Sequence, residues 1–217
     1  MSERTYKLVL IGIILLSLGI GLHFSSRSTL AEKPSVKIID NQNSLDNQDN
    51  QDNQDDQNNL DNLASYRGVP VYYNGPDYTT DKGESFSTDG YYYGLKWQCV
   101  EYVKRFYYVI KHHKMPDVFG NAKDFFDPFV PQGGLNQQRE LIQYINGGNE
   151  KPKPDDILVF TNTRYGHVAI VTKVTANSIE VIQQNEKDPR QVFTLTVNNH
   201  NFFVGTSLKP AGWLRIQ

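Results

Sequence analysis

Trp97-Gln98-Cys99-Val100-Glu101-Tyr102-Val103-Lys104-Arg105 decides the fold, because it sets the only cysteine of the chain at the start of a helical pattern. From Gln98 to about His113, Val103, Phe106, Tyr107 and Ile110 fall at offsets 0, 3, 4 and 7 of one helix face. Cys99 lies one turn before Val103 on that face, so the spacing directs its sulfur toward the body of the domain. Glu101, Arg105 and His112 fall on the opposite side, which the pattern assigns to water. Lys114-Met115-Pro116 is the expected stop, since proline disfavours helical geometry in the residue before it.

Outward from that helix, residues 64–93 read as loops, with turn signals at Asn74-Gly75-Pro76 and Asp89-Gly90. Gln137 to Ile145 is expected as a second helix that stops at Gly147-Gly148. Pro152-Lys153-Pro154-Asp155-Asp156 then leads into Ile157-Leu158-Val159-Phe160, a short buried strand. Strands are predicted over His167–Val174, Ile179–Gln184, Gln191–Val197 and Gly212–Ile216, with Ala176-Asn177-Ser178 as a hairpin connection and Asn198–Asn201 as a loop. A cysteine-bearing helix followed by a largely antiparallel, histidine-bearing sheet predicts an α+β fold.

The N-terminal part has a different character. Leu8 to Phe24 is apolar apart from Ser17 and His23 and follows Arg4 and Lys7. That matches the apolar region of a secretory signal, with Thr29-Leu30-Ala31 as a small-residue cleavage site, or else an N-terminal membrane anchor. Residues 1–31 are therefore expected to direct the protein to the periplasm or outside the cell, with contact to the membrane if they stay attached. Residues 32–63 carry an almost literal Asp-Asn-Gln repeat with too few apolar side chains to offset chain entropy, so they are expected as a disordered spacer. The repeat lacks the glycine and bidentate glutamate of a calcium loop.

Residues 64–217 have the composition and size of one folded domain. They hold 17 Lys and Arg against 15 Asp and Glu, so the −2 net charge of the 217-residue chain comes from the segment before them. A near-neutral domain argues against nucleic acid as a partner. Five scattered histidines and one cysteine make no metal constellation, and no cofactor is expected. The tyrosines at 91–93, 107 and 108 read as half-buried packing.

The remaining chemistry is that of a nucleophilic thiol. A helix N-terminus and a nearby imidazolium both favour the thiolate, and Cys99 and His167 are the residues to supply that pair. His167 would act as base and then as acid toward a leaving amine. The backbone N–H of Cys99 and the side chain of Gln98 are candidate donors to an oxyanion. In the row Gln183-Gln184-Asn185, strand alternation would put Gln183 and Asn185 on one side, and Gln183 is assigned to orient the imidazole.

With Tyr93-Gly94-Leu95-Lys96-Trp97-Gln98-Cys99-Val100-Glu101-Tyr102, Asp156–Phe160, Gly166–Val171, Gln184-Asn185 and Gly212-Trp213-Leu214 in this order, the chain resembles the CHAP family of cysteine, histidine-dependent amidohydrolases/peptidases over residues 65–217. The Lys-Trp-Gln-Cys-Val-Glu segment is particularly similar to the amidase domain of glutathionylspermidine synthetase/amidase. The resemblance implies a papain-like fold, Cys99 as nucleophile, His167 as base and Gln98 at the oxyanion hole. It also implies that Asn185 and Lys104 contact substrate, Lys104 standing where those amidases carry Arg. They have Glu at the position of Gln183, a departure that motivates the alternative of a non-catalytic binding module. The implied substrate is a peptide or amide, either a peptidoglycan peptide or a glutathionylspermidine-like amide.

Overall fold

The apolar runs of the C-terminal half pair into one antiparallel sheet, and the cysteine-bearing helix covers one of its faces. The computed structural model describes residues 64–117 and 119–217. The leader expected at 1–31 and the spacer at 32–63 lie outside the described residues.

Two small hairpins come first: β1 (Ser65–Tyr66) with β2 (Val69–Pro70), and β3 (Glu84–Phe86) with β4 (Tyr92–Leu95). Helix α1 (Cys99–Lys111) follows, then a 3-10 turn at Ala122–Phe125. The main sheet is made of β5 (Gly134–Asn136), β6 (Leu141–Ile145), β7 (Ile157–Phe160), β8 (His167–Val174), β9 (Ser178–Ile182), β10 (Arg190–Asn198), β11 (Asn201–Val204) and β12 (Gly212–Arg215). Its order is β11-β10-β9-β8-β7-β12-β6-β5, and every neighbouring pair is antiparallel. The expected α+β class is what the chain adopts.

The central strands are buried on both faces, which is why they read as continuous apolar runs. Ile157, Val159, Val168 and Ile170 face a core shared with Tyr102, Val103, Phe106 and Tyr107 of α1. The alternate residues Leu158, Phe160, Ala169 and Val171 pack on the other side with Val181, Phe193, Leu195 and Trp213. The two-residue period of the strands thus feeds two separate cores.

The expectation of a helix over Gln137–Ile145 is corrected: residues 141–145 are β6, preceded by a turn in which Glu140 has φ 50°. Leu141, Ile142 and Ile145 mimic a helical spacing, but Leu141 and Gln143 are buried while Ile142 and Tyr144 are less so, the period of a strand. Pairing with β12, where Trp213 lies opposite Tyr144, overrides the local pattern. Strands β1, β2, β3 and the start of β4 lie in the segment 64–93 read as loops, and β11 begins at Asn201, the last residue of the loop read over Asn198–Asn201. The α1 helix stops at Lys111, before Pro116, because His112 turns left-handed and donates its N–H to the Tyr107 carbonyl.

The β7–β8 connection places the histidine. His167 is the first residue of β8 and pairs with Phe160. Gly166 before it has φ +74°, and a Cβ there would lie 2.4 Å from the Lys123 backbone nitrogen and 2.6 Å from the Phe160 oxygen. Only glycine tolerates both constraints. Gly166→Ala should therefore destabilise the fold by about 2 kcal/mol or more in urea denaturation; an unchanged midpoint would refute the packing described at this turn.

Candidate active site

Cys99 opens α1 and His167 opens β8, and both line one cleft of about 540 Å³. The helix begins there because Gln98 is extended (φ −76°, ψ 159°) and leaves the first-turn N–H groups free of a side-chain cap. The Cys99 sulfur lies near the N–H groups of Val100 and Val168, which draw the thiol toward its anion. Burial is the stronger influence: Cys99 is 8% exposed, and its pKa is pushed up to about 11. Burial likewise pulls the imidazole of His167 down to about 4, opposed by the Gln183 side chain. At neutral pH the cleft therefore holds a thiol and a neutral imidazole.

Gln183 determines the tautomer. Its amide nitrogen donates to the Asp188 carbonyl at 2.9 Å and to Gln191 Oε1 at 3.3 Å, so its oxygen must face the ring. That oxygen is 3.1 Å from His167 Nε2, which consequently carries the proton. Nδ1 is left with its lone pair free, as a base requires. Glu186 Oε1 stands 3.7 Å from this same Nδ1.

The alternation expected for residues 183–185 ends with β9 at Ile182. Asn185 has φ 63°, and both it and Gln184 turn to the residues around Gln98. Asn185 Nδ2 is 2.5 Å from Gln98 Oε1 and 2.9 Å from the Tyr78 carbonyl. The amide nitrogen of Gln98 donates to the carbonyls of Tyr78 (3.1 Å) and Thr80 (3.4 Å). Gln98 and Asn185 both line the cleft, but the Gln98 donor is spent on the 78–80 segment. Lys104 is fully buried, with Nζ 5.0 Å from the Tyr91 ring centre and 5.2 Å from that of Tyr92. Burial, with Arg139 nearby, lowers its pKa to about 8. Tyr92 lines the cleft, so Lys104 sits behind the wall.

Glu101, expected in water, is fully buried. Its carboxylate accepts from Ser85 Oγ (3.1 Å), Arg105 Nε (2.7 Å) and Gln184 Nε2 (2.7 Å). Gln184 Nε2 also donates to the Gln98 carbonyl at 2.9 Å. The β3–β4 hairpin supplies Ser85 and covers this face, a long-range event that helical periodicity does not register. Arg139, also buried, donates to the Asp117 carbonyl (2.5 Å) and braces the segment from which Phe119 and Ala122 enter the cleft wall. Among the described residues no group of His, Cys, Asp and Glu could hold a metal ion.

A sequence profile of the CHAP domain matches residues 90–185. Trypanothione synthetase of Crithidia fasciculata is 28% identical over 120 residues, covering 54% of this chain and 18% of that protein. The bifunctional glutathionylspermidine synthetase/amidase of Escherichia coli (strain K12) is 32% identical over 104 residues, covering 45% of this chain and 16% of its own length; that of Shigella flexneri matches equally. The chain thus spans less than a fifth of each of these relatives.

The Gln183 contact yields a titration test. A carboxylate in place of the neutral amide oxygen would stabilise the imidazolium, so Gln183→Glu should raise the His167 pKa from about 4 by at least about one unit in an NMR titration. In the unsubstituted protein the folded value lies below the ordinary 6.5, so the unfolded chain binds more protons between about pH 4 and 6.5. Stability is complete above that window and falls by up to about 3 kcal/mol as pH drops through it. Gln183→Glu should reduce this loss; an unmoved titration would contradict the tautomer assignment.

Proposed function

Residues 90–185 of this chain belong to the CHAP family, and from that premise we propose that it is a thiol-dependent amidohydrolase/peptidase acting through an acyl-enzyme. The observation that supports the reading is that the only cysteine, at a helix start, lines the same cleft as a histidine whose free nitrogen is Nδ1. Nδ1 takes the Cys99 proton as Sγ attacks the amide carbonyl, and the carbonyl oxygen becomes an oxyanion. Nδ1–H then protonates the leaving nitrogen, the C–N bond breaks, and a thioester remains. Water gives its proton to Nδ1, attacks the thioester and restores the thiol with release of the acid.

The backbone N–H of Cys99 is one donor to the oxyanion, and Gln98 becomes a second once its amide leaves the Tyr78 and Thr80 carbonyls. Asn185, at the cleft between Gln98 and Tyr78, is proposed to contact substrate. Lys104 is proposed to act on substrate by way of the Tyr92 ring it underlies. The apolar run at residues 8–24 supports an exported enzyme and hence a peptidoglycan peptide as substrate. Similarity to the glutathionylspermidine synthetase/amidase supports a glutathionylspermidine-like amide instead.

A second reading, a binding module that has lost turnover, is favoured by the neutral amide at Gln183 and by the spent Gln98 donor. Amine release from glutathionylspermidine and from peptidoglycan peptides separates the two. The hydrolase reading expects release that falls by at least about a thousandfold in Cys99→Ala. Retained binding of either compound without any release supports the binding module.

A further inference from the structure

The cleft that holds Cys99 and His167 is lined by two chemically different sets of side chains. Gln98, Asn185 and Glu186 are polar, whereas Tyr92, Leu95, Phe119, Ala122 and Tyr165 offer apolar surface. Phe119 is 72% exposed, Tyr165 50% and Leu95 41%. Single exposed apolar side chains are ordinary, but several on the wall of one cleft make a patch. The ring centres of Phe119 and Tyr92 are 5.9 Å apart, and those of Tyr92 and Phe86 5.2 Å, so three rings form a row that starts at the cleft.

We propose that Phe119, with Tyr92 and Tyr165, forms a subsite for a large apolar side chain on a peptide residue adjoining the scissile amide. This rests on the hydrolytic reading of Cys99 and His167. The substrate class so inferred is broader than glutathionylspermidine and peptidoglycan stem peptides, which lack such a side chain.

The wall is anchored. The Phe119 N–H donates to Asp117 Oδ1 at 3.1 Å, and its carbonyl accepts from Nη2 of the buried Arg139 at 3.4 Å. The Lys123 N–H donates to the Tyr165 carbonyl at 3.0 Å, which joins this wall to the strand that begins at His167. The backbone that carries the Phe119 ring therefore needs no ordering when a ligand covers it. Charge decides the kind of ligand. Lys104 Nζ lies 5.2 Å from the centre of the Tyr92 ring, and the Arg164 guanidinium lies 5.2 Å from that of Tyr165. Both tyrosine rings thus meet a cation of the protein itself. A cationic group of a ligand would find like charge there, whereas an apolar group gains by removing apolar surface from water.

The test separates this role from turnover. The full chain carrying Cys99→Ala is titrated, with ligand-observed NMR, with N-acetylglycyl-phenylalanyl-glycinamide and with the same capped tripeptide bearing glycine or glutamine at its centre. The central residue adjoins both internal amides, so the side chain is offered on either side of the bond to be cleaved. The phenylalanyl peptide should bind at least about fivefold more tightly than the other two. Adding Phe119→Ser should bring the three affinities within about twofold of one another, while Phe119→Leu should keep most of the preference. Equal affinities, no binding of any of the peptides, or a preference that survives Phe119→Ser would overturn the proposal. Hydrolysis of the same peptides by the unsubstituted chain is measured apart from this, so failure of the catalytic reading is seen independently.

Discussion

The buried contact between Glu101 and Gln184 holds the site together. One end of it belongs to the first turn of α1, two residues after Cys99, and the other to the segment leaving β9. A carboxylate with no exposed surface must be fully hydrogen-bonded, and Ser85, Arg105 and Gln184 do this. The requirement fixes more than one pair. Because Gln184 also donates to the carbonyl of Gln98, the chain before Cys99 and the chain after Gln183 cannot move independently. The β3–β4 hairpin closes over the same point, and Gly94 makes this possible: a Cβ there would lie 3.2 Å from the Glu101 nitrogen.

Given that frame, the electrostatics follow from burial and from a neutral orienting group. Gln183 fixes which imidazole nitrogen carries the proton, and it does so without a charge. Desolvation leaves thiol and imidazole uncharged at rest, and in the mechanism proposed above the proton therefore moves during attack rather than before it. Glu186 places a carboxylate 3.7 Å from the other ring nitrogen, Nδ1.

Much of this was legible in the sequence wherever local pattern and tertiary demand agree. The helix at Cys99 and the strands β7, β8, β9, β10 and β12 follow from spacing and apolar runs. The thiol hydrolase proposed above was read from the lone thiol and the Gly-His strand start only together with the CHAP resemblance. The failures are long-range in origin. Residues 141–145 carry a spacing compatible with a helix, and only their pairing with β12 makes them a strand. Glu101 looks like a solvated residue until a hairpin covers it. Asn185 departs from strand alternation because its backbone turns left-handed, and Glu186 reaches the imidazole through that turn. Its nearness to Gln183 in the chain was the available signal, but extended geometry would have pointed it elsewhere.

The central claim, that His167 activates Cys99 as its base, is tested most directly by the rate at which iodoacetamide alkylates Cys99 at pH 7. Cys99 is the only cysteine of the chain, so the label reports on this thiol alone. The account predicts that His167→Ala slows alkylation by at least about tenfold at pH 7 and that the two proteins converge as pH rises toward the thiol's own pKa of about 11. Equal rates at neutral pH would contradict it.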